Sequence, residues 1–155
     1  MESDVKIIPD EKLAVINYKG PIDDLEVLIS KIMGWIEAEE IEVLSEPFVV
    51  YYSPRHEVNS NNNDVVFDVG IVLKNDEDEK DIIRVVDMVE HKVLSAIHEG
   101  PTDDILDTYS KLVDVAQHNN YDIIGSPKEI LIKSFHNCDS EKDFVTEIQL
   151  PIIEM

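Results

Sequence analysis

Gly20-Pro21-Ile22-Asp23-Asp24 recurs later in the chain as Gly100-Pro101-Thr102-Asp103-Asp104. Gly followed by Pro is turn chemistry: glycine tolerates backbone angles that other residues avoid, and proline fixes φ. Acidic residues straight after such a turn suit the first turn of a helix, whose free N–H groups favour negative charge. Each pentapeptide therefore reads as the joint between a strand and a helix. Sliding the chain so that Gly20 falls on Gly100 also aligns Lys12 with Lys92, Ser30 and Lys31 with Ser110 and Lys111, and Pro47 with Pro127. Chance recurrence of a helix-start signature would not bring its flanks along. The flanks match in type and order, which marks a tandem duplication.

In the first copy Lys12 to Lys19 is a short strand. From Asp23 to about Glu40 an amphipathic helix follows, with Leu25, Leu28, Ile29, Ile32, Trp35 and Ile36 at helical spacing. Pro47 opens the β-forming run Phe48-Val49-Val50-Tyr51-Tyr52, a polar loop covers Asn59 to Asp64, and Val65 to Leu73 is the next strand. The second copy repeats this with a strand over Val93 to Glu99 and a helix from Asp103 to about Asn119. That helix shows a stripe of Ile105, Leu106, Tyr109, Leu112, Val113 and Ala116; strands follow over Glu129 to Lys133 and Phe144 to Ile152. Asn75 to Lys80 is a charged turn, and Ile82 to Met88 extends the sheet. The expected fold is α+β, with tandem β-α-β-β repeats forming an antiparallel sheet that carries its helices on one face. Residues 1–155 make one domain, with repeat one at about 10–75 and repeat two at about 81–155.

Composition narrows the function. Hydrophobic residues make up 43% of the chain, enough for a globular core. There are 34 acidic residues against 13 Lys plus Arg, a formal net charge of -21. A field of that sign repels phosphate backbones, so direct nucleic-acid binding is not expected. The lone Cys138 allows no internal disulfide. No apolar run is long enough to span a membrane, and Met1-Glu2-Ser3-Asp4 lacks a signal peptide's basic region, so the expected location is cytoplasmic. His56, His91, His98, His118 and His136 show no metal-binding spacing. The acidic run Asp76 to Asp81 lacks the alternating ligands and central glycine of a calcium loop and reads as a solvated turn. No nucleophile elbow, phosphate-cradling loop or dinucleotide fingerprint is present, so no cofactor is called for.

Five motifs in order carry a family resemblance: Pro47-Phe48-Val49-Val50-Tyr51, Phe67-Asp68-Val69-Gly70-Ile71, His98-Glu99-Gly100-Pro101, Pro127-Lys128-Glu129-Ile130-Leu131-Ile132 and Thr146-Glu147-Ile148-Gln149-Leu150-Pro151-Ile152. On the duplicated pattern, they resemble the GyrI-like small-molecule-binding family. Its members include stand-alone proteins and the effector-binding domains of multidrug-responsive transcription activators. The resemblance implies a pseudo-twofold pair of repeats with a ligand cleft where they meet. It also implies a pocket glutamate on the C-terminal Thr-Glu-Ile strand, here Glu147, set among aromatic walls. The repeat partner of Glu147 is Asp68, one position off the common alignment because the intervening loops differ. Leu131 stands where the family pattern has a tyrosine, whereas its repeat partner Tyr51 is retained.

The expected ligand-binding residues are Glu147, Tyr51, Phe67, Glu129, Tyr109 and Trp35. By strand alternation alone Glu147 shares a face with Gln149 and reads as solvent-facing; the resemblance turns it into the pocket. A carboxylate beside Tyr51 and Phe67 suits an organic cation, through charge and ring-face attraction. Glu129 has a plainer reading, neutralised at the surface by Lys128 or Lys133. Tyr109 and Trp35 sit on apolar helix faces and read equally as core packing. Tyr51 and Tyr52 alternate, and the repeat alignment favours Tyr51 for the cleft.

The leading expectation is a stand-alone binding module for a small, hydrophobic or cationic organic molecule. Any role in transcription regulation would run through a partner protein, because no DNA-binding segment precedes the first repeat. Two alternatives stay open. One is a hydrolase in which Glu147 or Glu129 acts as a general base, with His98 as the nearby polar candidate. The other is an acidic protein-interaction module, such as a gyrase inhibitor.

Overall fold

The computed structural model describes residues 1–154, and three features of the sequence decide its elements: strand alternation, two helical stripes and two Gly-Pro joints. In chain order they are β1 (Ser3–Ile8), β2 (Glu11–Gly20), α1 (Leu25–Ala38), β3 (Phe48–Tyr51), β4 (Val65–Leu73) and β5 (Arg84–Met88). There follow β6 (His91–Glu99), α2 (Ile105–His118), β7 (Tyr121–Ile123), β8 (Lys128–Lys133) and β9 (Val145–Glu154). The chain clusters into two units, one of Asp10–Val89 and one of Met1–Pro9 with the chain from Glu90 onward. In the first unit the strand order is β3-β4-β2-β5; in the second it is β1-β6-β9-β8, with β7 also on β9. Within the units these pairings are antiparallel, and each unit carries one helix, so the α+β expectation holds.

Two strands reveal how the copies are joined. Shifting Ser3–Ile8 by the offset that takes Gly20 to Gly100 lands it on β5. Ile8 pairs with His91, Ile7 with Lys92 and Lys6 with Val93. Met88 pairs with Glu11, Asp87 with Lys12 and Val86 with Leu13, the same register in the other copy. Each copy thus contributes a leading strand that pairs with the first long strand of the other copy. The sequence pattern anticipated β5 and missed β1 and β7, because Asp4 and Lys6 interrupt the apolar signal and the short β7 cannot show a period.

Both helices start slightly later than their acidic pairs suggest, at Leu25 and Ile105. Ile22–Asp24 and Thr102–Asp104 form single 3-10 turns, and neither Asp24 nor Asp104 caps its helix through its side chain. Each aspartate instead meets the end of the preceding strand. The Tyr18 hydroxyl donates to Asp24 Oδ2. At the repeat-related positions, His98 Nε2 lies 3.2 Å from Asp104 Oδ1. The two copies hold the same joint with different chemistry.

In the second unit the core comprises Leu94 and Ala96 of β6, Ile105, Leu112 and Ala116 of α2, and Ile148, Leu150 and Ile152 of β9. Tyr109, Val115 and Tyr121 pack against it. Leu106, expected in the stripe, is exposed, and Val115 rather than Val113 packs on the cluster. Successive helix residues turn by about 100°, so a neighbour of Ile105 leaves the covered arc. In the first unit Ala14, Ile16, Val65, Phe67, Val69 and Ile71 form the matching buried row, and α1 packs over β2 and β4.

Gly70 lies opposite Phe48 on β3. A Cβ there would sit 2.5 Å from Phe48 Cζ and 2.7 Å from the Ala14 carbonyl oxygen, and one of these neighbours is backbone that cannot swing away. Gly70→Ala should therefore cost about 1–3 kcal/mol in urea denaturation, the usual penalty for overpacking. A loss below about 0.5 kcal/mol, the scatter of neutral surface changes, would show that the strand relaxes around the methyl group.

Candidate functional site

Strand β9 sorts its side chains by position. Thr146, Ile148, Leu150 and Ile152 fall on the side covered by α2, and Glu147 and Gln149 on the other. Register places Ile97 of β6 and Ile130 of β8 directly across from Glu147 on either side, so the residue is flanked by two isoleucines on its face of the sheet. Ile97 is 42% exposed, whereas Glu147 is 8% exposed.

A buried carboxylate is tolerated only with compensating donors. Lys6 Nζ, Ser95 Oγ and Gln149 Nε2 all donate to Glu147 Oε2, at 2.9, 2.8 and 2.9 Å. Among the described residues, no donor is placed on Oε1. Burial alone pulls the Glu147 pKa upward, yet hydrogen bonds from Gln149, Lys6 and Ser95, with the Lys6 charge, outweigh it and hold the carboxyl below its ordinary value. The group is ionised at neutral pH, with one oxygen saturated and the other open.

The other expected residues fall elsewhere. Glu129 pairs with Ile148, which puts it on the α2 side of the sheet, where the Tyr109 hydroxyl donates to its Oε2 at 2.5 Å. It is buried, so the reading of a surface carboxylate neutralised by lysine fails. Tyr51 and Phe67 pair across β3 and β4 in the buried row of the first unit, with ring centroids 6.4 Å apart, and the Arg55 guanidinium lies 4.6 Å from the Tyr51 ring centre. Trp35 is buried on α1 and walls a hollow of about 350 Å³ with Glu39, Ile41 and the charged turn 77–80. The structure thus brings together Tyr51 with Phe67 and Tyr109 with Glu129, and sets Glu147 on the opposite face of its sheet from Glu129.

Asp68, the repeat partner of Glu147, lies on the other face from Phe67 and takes Asn17 Nδ2 at 2.7 Å and the Tyr52 hydroxyl at 2.6 Å. Burial, then the hydrogen bond to Asp68, push the Tyr52 pKa upward, so the phenol stays a donor. Sequence reading preferred Tyr51 here; alternation plus the register of β3 on β4 puts Tyr52 with the carboxylate. Sequence reading also missed Lys6, Ser95 and Gln149. Gln149 was within reach, two residues along from Glu147, whereas Lys6 is separated from it by 141 positions and depends on the exchanged strand.

Residues 1–153 match the family described as the GyrI-like small molecule binding domain. The chain belongs to that family. Among curated proteins, none matches the chain in sequence. The EcmrR C-terminal domain superposes with a TM-score of 0.85 at 17% identity, covering 99% of this chain and 98% of that one. In the EcmrR–DNA complex the same likeness spans only 58% of the EcmrR chain. A hydrolase encoded by lin2189 from Listeria innocua superposes with a TM-score of 0.72 at 12% identity, over 98% of this chain and 92% of that one. SAV2435 bound to tetraphenylphosphonium gives 0.59 at 11% identity, over 99% and 94%. At such identities the likeness establishes the GyrI-like fold.

Within this GyrI-like domain, His98 is engaged on the α2 side: Nδ1 lies 2.8 Å from Thr108 Oγ1 and Nε2 lies 2.9 Å from the Pro101 carbonyl. It stands across from Thr146, on the opposite face from Glu147. Among the described residues no three His, Cys, Asp or Glu side chains gather to hold a metal ion, and no helix is long and apolar enough to cross a membrane.

Because the folded state lowers the Glu147 pKa below 4.5, ionised Glu147 contributes stability that is fully present above that value. The contribution is lost as pH falls through the lower folded pKa. Glu147→Gln should cost about 1–3 kcal/mol at pH 7. The wild-type advantage should hold through the ordinary carboxylate range and shrink as pH falls below it. Denaturation at the two extremes checks this, and an advantage independent of pH would show that the carboxylate is not held ionised.

Proposed function

We propose that this protein captures a small organic molecule on the face of the second unit's sheet turned away from α2, with Glu147 as the anchoring acceptor. One observation supports this above the others: Oε2 is saturated by three donors, while Oε1 accepts none among the described residues, on a residue flanked in the sheet by Ile97 and Ile130. Three donors fix the carboxylate in one orientation before a ligand arrives, so little ordering remains to be done on binding. The isoleucines suit a hydrophobic body, and Oε1 suits a cationic or hydrogen-bond-donating group on it. Membership of a small-molecule-binding family and the tetraphenylphosphonium complex of SAV2435 support the same reading. The likeness to the EcmrR C-terminal domain supports an effector role, in which a regulatory partner senses the loaded state.

Hydrolysis is less well served. A general base works best with a pKa near the operating pH, whereas the Glu147 carboxyl is pulled the other way. His98 is on the opposite face and occupied at both nitrogens.

A thermal-shift panel of lipophilic cations, zwitterionic and amide-bearing amphiphiles, neutral aromatics and anionic metabolites tests the proposal. A ligand at about 100 times its Kd should add about 2.7 kcal/mol, a shift of about 5–10 °C. Stabilisation by a ligand carrying a cationic or other hydrogen-bond-donating group that disappears in Glu147→Gln is the expected result. Equal shifts in both proteins, or none in either, would remove Glu147 from the site.

A further inference from the structure

Lys6 is one of only 13 basic residues set against 34 acidic ones, and it is the ion-pair partner of the buried Glu147. Its side chain is 42% exposed, against 11% for Glu147, so the ammonium stands at the rim and the carboxylate beneath it. One donor is committed to Oε2; an ammonium has three. Lys128 adds a second ammonium to this face, across from Gln149. The duplication supplies an internal comparison. At the position related to Lys6 stands Val86, and the carboxylate related to Glu147, Asp68, is held by the neutral donors Asn17 and Tyr52. The fold therefore accepts an apolar side chain at this point of the exchanged strand.

We propose that Lys6 is the specificity-determining residue of the site: by neutralising Glu147 it discriminates against simple organic monocations. The ligands it selects bring their own anionic or acceptor group to Lys6 beside a donor to Glu147 Oε1. The occupant is then a zwitterionic or amide-bearing amphipathic molecule. This rests on the placement of the site at Glu147. The physical reason is that a carboxylate already paired with an ammonium has little net field left for a second cation, and Lys6 itself repels one at short range. A ligand carrying both signs meets complementary charge on both groups and forces no ion pair to break.

The test measures tetraphenylphosphonium binding by calorimetry to wild type, Glu147→Gln, Lys6→Val, Lys6→Gln, Lys6→Arg and the double variant Lys6→Val/Glu147→Gln. Circular dichroism first confirms the fold, with Lys6→Gln as the reporter should valine prove destabilising. Both neutral variants should bind the monocation at least about tenfold more tightly than wild type, about 1.4 kcal/mol. Lys6→Arg should match wild type, and the double variant should lose the gain. If the neutral variants bind no better than wild type while Glu147→Gln binds worse, Lys6 does not set selectivity and the site at Glu147 stands. If the gain survives in the double variant, or no variant binds, the placement of the site fails and the inference with it.

Discussion

Along β9 each residue faces opposite its neighbours, and the ladder to β6 holds that alternation in place. Slipping the register by one residue would send Ile148, Leu150 and Ile152 away from α2 and push Glu147 and Gln149 into the core. The hydrophobic cost makes the register close to immovable. Ile148 is fully buried, and burial of such a side chain is worth about 1.5–3 kcal/mol. Glu147 is thus positioned by the isoleucine beside it. The apolar half of the strand holds the polar half in place, and the polar half can diverge without loosening the sheet.

That freedom shows when the copies are compared. Gln149 corresponds to Gly70, where the Phe48 ring occupies the space a side chain would need; Ser95 corresponds to Val15, and Lys6 to Val86. Leu94, Ala96, Ile148 and Leu150 keep the apolar character of Ala14, Ile16, Val69 and Ile71 under the helices, while Glu129, Thr146 and His98 stand there against Val49, Phe67 and Tyr18, and the averted faces differ as well. Tyr18 and His98 differ in the same way at the Gly-Pro joint, each meeting the aspartate that follows. The duplication keeps an apolar centre under each helix and lets polar chemistry differ around it on both faces.

Most of the fold was legible in the sequence because most of it is periodic. Leu28, Ile29, Ile32 and Trp35 sit on the buried side of α1 as their spacing implies, and Val65 to Leu73 is the strand it was read to be. What escaped was decided by distant partners. The first strand carries only the brief alternation Asp4-Val5-Lys6-Ile7, too short to stand out, and β6 offers it an edge. Tyr51 and Tyr52 alternate as expected, yet only the pairing of Tyr51 with Phe67 shows which of them joins the core. Glu147 was marked by its motif position in the family resemblance, whereas strand alternation alone read it as solvent-facing. The three donors that give it its properties come from β1, β6 and β9, and two of those three cannot be located without the register.

The ion pair is the feature that most constrains chemistry. Burial by itself would raise the carboxyl pKa toward the range a base needs, and three donors on one oxygen reverse that tendency. Evolution of a hydrolytic base at this position would favour removing donors. Here they accumulate on Oε2 and leave Oε1 without a donor among the described residues, an arrangement that fixes the carboxylate's orientation and sacrifices basicity. Because Lys6 arrives on a strand exchanged between the copies, the charge of the site depends on a residue outside the strands that shape it. On the proposed site, changing that one position would alter which ligands are electrostatically acceptable while β6, β8, β9 and α2 remain as they are. On that proposal, selectivity and scaffold lie on different segments, so that one fold could serve ligands of different charge.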